Sequence, residues 1–368
     1  MLEVKKITQL ELETFIKSET FSNFKNIPIS SLRSASYVKN KHANAKDVIL
    51  YMAFIDKELV GYRSIWRDVF YHGKVPESFG WLSGNWVHPK YRRKGVSTQL
   101  FNEVYKDWGG RLLYTNYAIP SKLLYDKTGY FKKIKSLKGV RFYTQFCLQD
   151  ILPKKHVLFS KTTFLWKCLD AFGNMFWKLK TRRPQKNNDT DSLIKENEDW
   201  HHEIDLFLAD FKNQELFKRG DAFFSWVLQY PWVKTGVTEA QEAKKYQFSV
   251  HSKQYKSTYY TFYDSDNKII AFLWISLKDG HLKIQYAYLT QAAIEEVAAF
   301  IVAKSLQENV KTILVYQKEL ETILMHKLPH LYNKRFDQNY FATEKVIQDF
   351  PEISQKKIQP GDGDVIFT

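Results

Sequence analysis

The sequence predicts an α+β chain of two mixed-sheet domains joined by an amphipathic helical segment. Three observations carry that prediction. The chain has 368 residues and 44% hydrophobic content, enough for two domains with sizeable cores. Strand-like and helix-like segments follow the order hairpin, strand, helix, strand, helix twice. Between the two copies lies a lysine-rich, aromatic stretch at helical spacing, followed by a polar linker. The boundaries read as 1–150, 151–192 and 193–368.

The first copy opens with a short strand near Leu2–Ile7 and a helix around Gln9–Ile16. Ser30–Lys41 is polar and serine-rich. Val48–Ile55 is a continuous apolar run with β-formers, Asp56–Glu58 a turn, and Leu59–Tyr71 an alternating partner strand. His72–Lys74 turns again, and Phe79–Val87 is a third strand. Gly80 and Gly84 lie inside it, where glycine marks either a bulge or close packing against a bulky side chain.

The next stretch, Val87–Leu100, organises the copy. His88-Pro89 stops the strand, because proline cannot donate to a sheet ladder. Arg92, Arg93, Lys94 and Gly95 make a basic turn. Val96, Leu100, Phe101 and Val104 then recur at helical spacing, with Ser97 and Thr98 in the first turn. The first N–H groups of a helix lack intrahelical partners and carry partial positive charge. A loop leading into them is a concave anion site, and glycine lets a ligand approach the backbone. The expected ligand is a phosphate or pyrophosphate. Gly109-Gly110 ends the helix, Leu112–Tyr117 is a strand, and Pro120–Thr128 a helix capped by Gly129. Phe131–Phe146 reads as two closing strands with a hairpin turn at Lys138-Gly139.

Arg92-Arg93-Lys94-Gly95-Val96-Ser97 resembles the acyl-CoA motif [RQ]-x-x-G-x-[GA] of the GNAT family (Gcn5-related N-acetyltransferases), with Ser97 in place of Gly or Ala. Leu124-Tyr125 and Gly129-Tyr130 are similar to that family's second motif, with Asn116 two residues upstream of its usual place. The resemblance implies two GNAT-like domains of the acyl-CoA N-acyltransferase fold. It implies an N-acetyltransferase that moves an acetyl group from acetyl-CoA to a sugar amine or another small primary amine by direct attack. It also implies that backbone at Trp86 and Val87 meets the pantetheine and thioester, and that Arg92, Arg93, Lys94, Gly95, Val96, Ser97 and Thr98 hold the pyrophosphate. Asn116 would contact CoA, and Tyr125 would protonate the leaving thiolate. The base stays open among Glu77, His72, Ser83 and Asn85; His88 reads as a turn residue.

Ile151–Arg183 places apolar residues among lysines as an amphipathic helix, broken near Gly173. Two roles suit it: a bridge packed between domains, or peripheral contact with an anionic membrane through 151–183. Pro184–Ser192 reads as a linker. A second globular unit starts at Trp200, with strands Tyr246–His251, Tyr259–Tyr263, Ile269–Leu277 and His281–Leu289. Helix Ala292–Leu306, strand Thr312–Tyr316 and helix Glu319–His326 follow, and Asp362-Gly363-Asp364 turns into a last strand. Thr290-Gln291-Ala292-Ala293 stands where the first copy has its basic turn, and no glycine occurs between Gly280 and Gly361. This copy is expected not to cradle a phosphate.

The formal net charge of +15 divides as +12 over 1–150, +8 over 151–186 and −5 over 187–368, so the basic surface sits with the anion loop. Two cysteines, Cys147 and Cys168, make no disulfide framework, which points to a reducing, cytoplasmic setting. The first residues do not read as a signal peptide, and no run has the ~18 apolar residues of a membrane span. His326 and His330 have i,i+4 spacing but Pro329 breaks the helix, so no metal is expected. Two other functions fit the same features: aminoacyl transfer from tRNA, as in the FemABX-like family that also doubles this fold, and a non-catalytic CoA-binding scaffold. An intact CoA-type loop argues against nucleic acid as a partner.

Overall fold

The computed structural model describes residues 1–73, 75–115, 119–181, 193–197, 200–236 and 245–367. Its main elements in chain order are β1 (Glu3–Thr8), α1 (Ser31–Val38), β2 (Val48–Ile55), β3 (Glu58–His72), β4 (Val75–Val87), α2 (Val96–Asp107), β5 (Leu112–Thr115), α3 (Ile119–Thr128) and β6 (Phe131–Tyr143). Then come α4 (Thr163–Thr181), β7 (Leu193–Asn197), α5 (His202–Lys212), α6 (Asp221–Gln229), β8 (Tyr255–Tyr263), β9 (Ile269–Lys278) and β10 (His281–Leu289). The chain continues through α7 (Ile294–Gln307), β11 (Thr312–Val315), α8 (Lys318–Lys327) and β12 (Tyr332–Thr343). Ser30–Lys41, read only as polar, holds α1, whose N-cap Ser30 accepts from the Arg33 N–H at 3.2 Å.

Two compact units result, and they are not successive in the chain. The first is 1–137, 199–255 and 338–368; the second is 138–198 and 256–337. The expected boundaries at 150 and 193 therefore do not match these units. The reason lies in strand pairing. The first unit's sheet runs β1-β2-β3-β4-β5 and is completed by the end of β12, with Tyr340, Phe341 and Ala342 antiparallel to Thr115, Tyr114 and Leu113. The second runs β7-β8-β9-β10-β11 and is completed by the end of β6, with Val140–Tyr143 antiparallel to Val315–Thr312. Each copy's sheet takes its sixth strand from the other copy's stretch of sequence. In both, one parallel pair interrupts antiparallel pairing: β4 with β5, and β10 with β11.

Two sequence expectations change for the same reason. Lys138-Gly139 is not a turn, because β6 runs straight through it. A Cβ on Gly139 would lie 2.6 Å from the Tyr316 ring and 2.7 Å from the Val315 carbonyl, so glycine serves close strand approach there. Residues 200–236 and 245–255 do not begin the second domain but cover one face of the first unit's sheet. Trp226 donates to the Ser36 carbonyl at 2.9 Å, and Trp232 stacks on Phe367 at 4.4 Å. Asp364–Phe367 is a short 3-10 turn rather than a last strand, and Tyr246–His251 supplies only a two-residue bridge at His251–Ser252. Buried Arg219 ties this covering segment down. It donates to both Asp68 oxygens at 2.9 and 2.7 Å and to Asp362 at 2.9 Å. Burial pushes the Asp68 carboxyl up, but the Arg219 charge and hydrogen bonds outweigh it and hold the group below its usual range.

The other face of the first sheet packs Val60, Ile65 and Leu82 against Val96, Leu100 and Phe101 of α2. In the second unit, Leu273, Ile275 and Ile284 meet Val297, Ile301 and Leu324 in the same way. The amphipathic helix α4 belongs to the second unit and is not broken at Gly173, which packs on the Phe146 ring. The linker read at Pro184–Ser192 lies outside the described residues.

Candidate active site

In the first unit, among the described residues, β4 and β5 pair only at Gly80–Leu112 and Trp81–Leu113; beyond Trp81 they part. The parting coincides with a bulge in β4. Ser83 pairs with Ser64 and Asn85 with Arg63, which leaves Gly84 as the extra residue. Gly84 has φ +43°, and a Cβ there would strike the Ser64 hydroxyl and come within 2.7 Å of an Arg33 nitrogen. Gly80 serves a different end, since a Cβ on it would meet Ile65 at 2.7 Å and Trp108 at 2.9 Å. One glycine makes the bulge and the other permits packing.

At the open end of the cleft the chain turns through His88, whose Nδ1 accepts from the Lys90 N–H at 3.3 Å. Arg92 donates from Nε to the Val87 carbonyl at 3.3 Å, and Lys94 lies over the Tyr91 ring. Gly95 is the left-handed N-cap of α2, with φ +82° and open space where a Cβ would sit. The Gln99 N–H bonds the Gly95 carbonyl at 2.9 Å, so the N–H groups of Val96, Ser97 and Thr98 precede the helical ladder. Arg92, Arg93, Lys94 and Thr98 are exposed around them and Ser97 is half-buried. Of the two strand residues expected to face the ligand, Val87 is better placed. The His88 N–H bonds the Val60 carbonyl across β3, and alternation along an antiparallel ladder turns the Val87 N–H to the β5 side and the Trp86 N–H away. The Trp86 ring stacks on Tyr62 at 5.4 Å.

Deeper in, Tyr125 on α3 is buried between Tyr114 at 4.4 Å and Phe131 at 5.0 Å. Its hydroxyl accepts from Arg63 Nη1 at 2.6 Å. Arg63 is fully buried, and among the described residues its Nε and Nη2 have no hydrogen-bond partner. Asn85, opposite Arg63 across the bulge, donates to the Ser121 hydroxyl at 3.4 Å and leaves its Oδ1 unpaired. A buried guanidinium with open donors is costly, so such groups mark sites where a partner is brought in. The sequence reading missed Arg63. Its signal was a lone cation in LVGYRSIW, at the same parity as inward-facing Gly61 and Ile65.

On the other face of the bulge, Arg33 donates to Ser83 at 3.2 Å and stacks over Trp232 at 4.0 Å, while Ser83 donates to Asp364 at 3.0 Å. Burial pushes the Tyr37 and Tyr62 phenols above their usual range, so both stay protonated. The structure brings together Val87, the Arg92–Thr98 loop and Tyr125 around the parted strands. It does not bring Glu77 or His72 there. They sit at the hairpin end of β3–β4, where Glu77 meets Arg111 at 3.0 Å and His72 faces Glu352 at 3.5 Å. Asn116 lies outside the described residues. No group of three His, Cys, Asp or Glu among the described residues could hold a metal ion.

Residues 7–130 match the acetyltransferase (GNAT) family. No curated protein matches the sequence. Among solved structures, a probable N-acyltransferase of unknown function from Enterococcus faecalis superposes with TM-score 0.51, 14% identical over 94% of this chain and 73% of its own. A GCN5-related N-acetyltransferase from Anabaena variabilis gives TM-score 0.51, 11% identical over 93% of this chain and 72% of its own. At such identities these two likenesses establish the fold.

Proposed function

We propose that this chain, an acyltransferase of the GNAT family by its domain at residues 7–130, moves an acetyl group from acetyl-CoA to a primary amine. The observation that carries the reading is the parted β4–β5 edge, with the anion loop at its mouth and the Arg63–Tyr125 pair at its inner end. Arg92–Thr98 hold the pyrophosphate, and the Val87 N–H meets the pantetheine amide. The acceptor nitrogen attacks the thioester carbonyl carbon, forming the C–N bond. The tetrahedral oxyanion collapses and the C–S bond breaks. The amine gives up one proton, to water or to a group beside the bulge. Tyr125 donates one to the thiolate, and the products are an amide and free CoA. The open Arg63 donors stabilise negative charge on the thioester oxygen or the departing sulfur. The acceptor is a small amine, a sugar amine included.

Calorimetric titration of acetyl-CoA into wild type and into Arg92→Ala/Gly95→Glu tests the reading. Wild type is expected to bind, and the variant to lose about 10–100-fold in affinity, the worth of one or two charge-assisted contacts. A wild type that takes up no acetyl-CoA overturns it.

A further inference from the structure

We propose that α4 docks the second unit onto an anionic membrane surface, lying in the interface without crossing it. The helix presents its two sides the opposite way from an ordinary surface helix. Its polar side faces the protein. Buried Asp170 accepts from the Leu148 and Gln149 N–H groups at 2.7 and 2.9 Å. Asn174 bonds both the N–H and the carbonyl of Phe146, and Trp177 donates to the Thr144 carbonyl at 2.8 Å. These contacts fix the rotation of the helix. At about 100° per residue they turn Phe164, Leu165, Leu169, Phe172, Phe176 and Leu179 into one outward sector. Each of those six is more than half exposed, Phe164 at 75%. A contiguous apolar face of this kind marks an interaction surface.

Charge names the occupant. From 151 to 181 the only acid is Asp170, and it is turned inward. Lys167 and Lys178 run along one margin of the apolar sector, and Lys154, Lys155 and Lys161 lie exposed on the preceding turns. Apolar side chains entering the acyl boundary, with lysines at headgroup level, are the two signals that hold a peripheral helix on anionic lipid. No described helix is long and apolar enough to cross a membrane.

Cys168 gives a direct probe, because it is exposed in the middle of the outward sector while Cys147 is buried. The full chain, labelled at Cys168 with an environment-sensitive fluorophore, is mixed with vesicles of phosphatidylcholine and phosphatidylglycerol in equal parts. The expected result is a blue-shifted, brighter emission and co-sedimentation at low salt, both reduced at high salt. Unlabelled Phe172→Glu/Phe176→Glu is expected to keep its circular dichroism and lose at least about tenfold in partition. Absence of sedimentation at low salt overturns the proposal, as does equal binding to phosphatidylcholine alone. A wild-type dimer that the double variant dissociates, without vesicle binding, overturns it in favour of a second copy on this face.

Discussion

The two units carry the same strand–bulge–helix device, and only one carries a basic loop on it. In the first, β4 bulges at Gly84, residues 88–95 form a basic loop, and the first turn of α2 carries Ser97 and Thr98. In the second, β10 bulges at Gln285, only residues 290–293 separate strand from helix, and the first turn of α7 carries Glu295 and Glu296. Acidic side chains suit a helix N-terminus thermodynamically, but they repel a phosphate that would use the same N–H groups. The contrast separates what the fold requires from what the reaction requires. The bulge and crossover helix belong to the sheet's geometry. The loop length, its glycine and its cations are what the proposed donor site needs.

The largest effect is expected at the seventh residue of the helix after the parallel pair. That residue is Tyr125 in the first unit and Leu324 in the second. Tyr125→Phe should lower kcat by about 10²–10⁴-fold with unchanged acetyl-CoA affinity, as for loss of a general acid. Leu324→Ala should leave the kcat of folded protein alone and cost about 2–5 kcal/mol in urea unfolding. A kcat loss in the second variant and none in the first would reverse the assignment.

Next comes the way each unit holds a buried carboxylate. Asp68 is paired by buried Arg219, whereas buried Glu321 is paired by largely exposed Arg335 at 2.5 Å. Arg219→Ala leaves Asp68 and Asp362 buried without their cation and is expected to cost about 3–5 kcal/mol. Arg335→Ala is expected to cost no more than about 1 kcal/mol, because the guanidinium is solvent-exposed and Lys318 still reaches the same Glu321 oxygen at 3.3 Å. Equal losses on denaturant titration would erase this distinction.

The smallest effect is the pH dependence that Asp68 contributes in the first unit. The folded Asp68 pKa lies below its ordinary 3.8, so its contribution is present above that value and lost as pH falls through the folded one. Melting temperature should decline on acidification below about pH 5, and Asp68→Asn should flatten that slope while lowering stability at neutral pH. An acid slope identical in both proteins would remove Asp68 as its source.

Local features of this architecture were legible in the sequence, and long-range ones were not. The basic turn, the glycine N-cap and the helical recurrence of Val96, Leu100 and Phe101 are contiguous, so propensity and periodicity suffice to read them. The loss of the loop in the second copy was equally visible in Thr290–Ala293. Strand exchange leaves no such trace, because nothing near Lys138-Gly139 says that Tyr316 will pack against it. The Asp68–Arg219 pair spans 151 residues, and no local pattern joins its members. Arg63 was hidden for another reason. One cation in a strand fits an exposed position until the sheet's two faces are known.

The exchange of closing strands also has a consequence for how the chain is made. On a ribosome, residues 1–137 emerge with five strands of their sheet but without the sixth, Trp232 or Phe367. That unit therefore stays open until synthesis reaches residues 338–368, whereas the second unit has all of its segments in hand by residue 337. The unit that holds the basic loop is the one that finishes folding last, and the contacts closing it span more than a hundred residues.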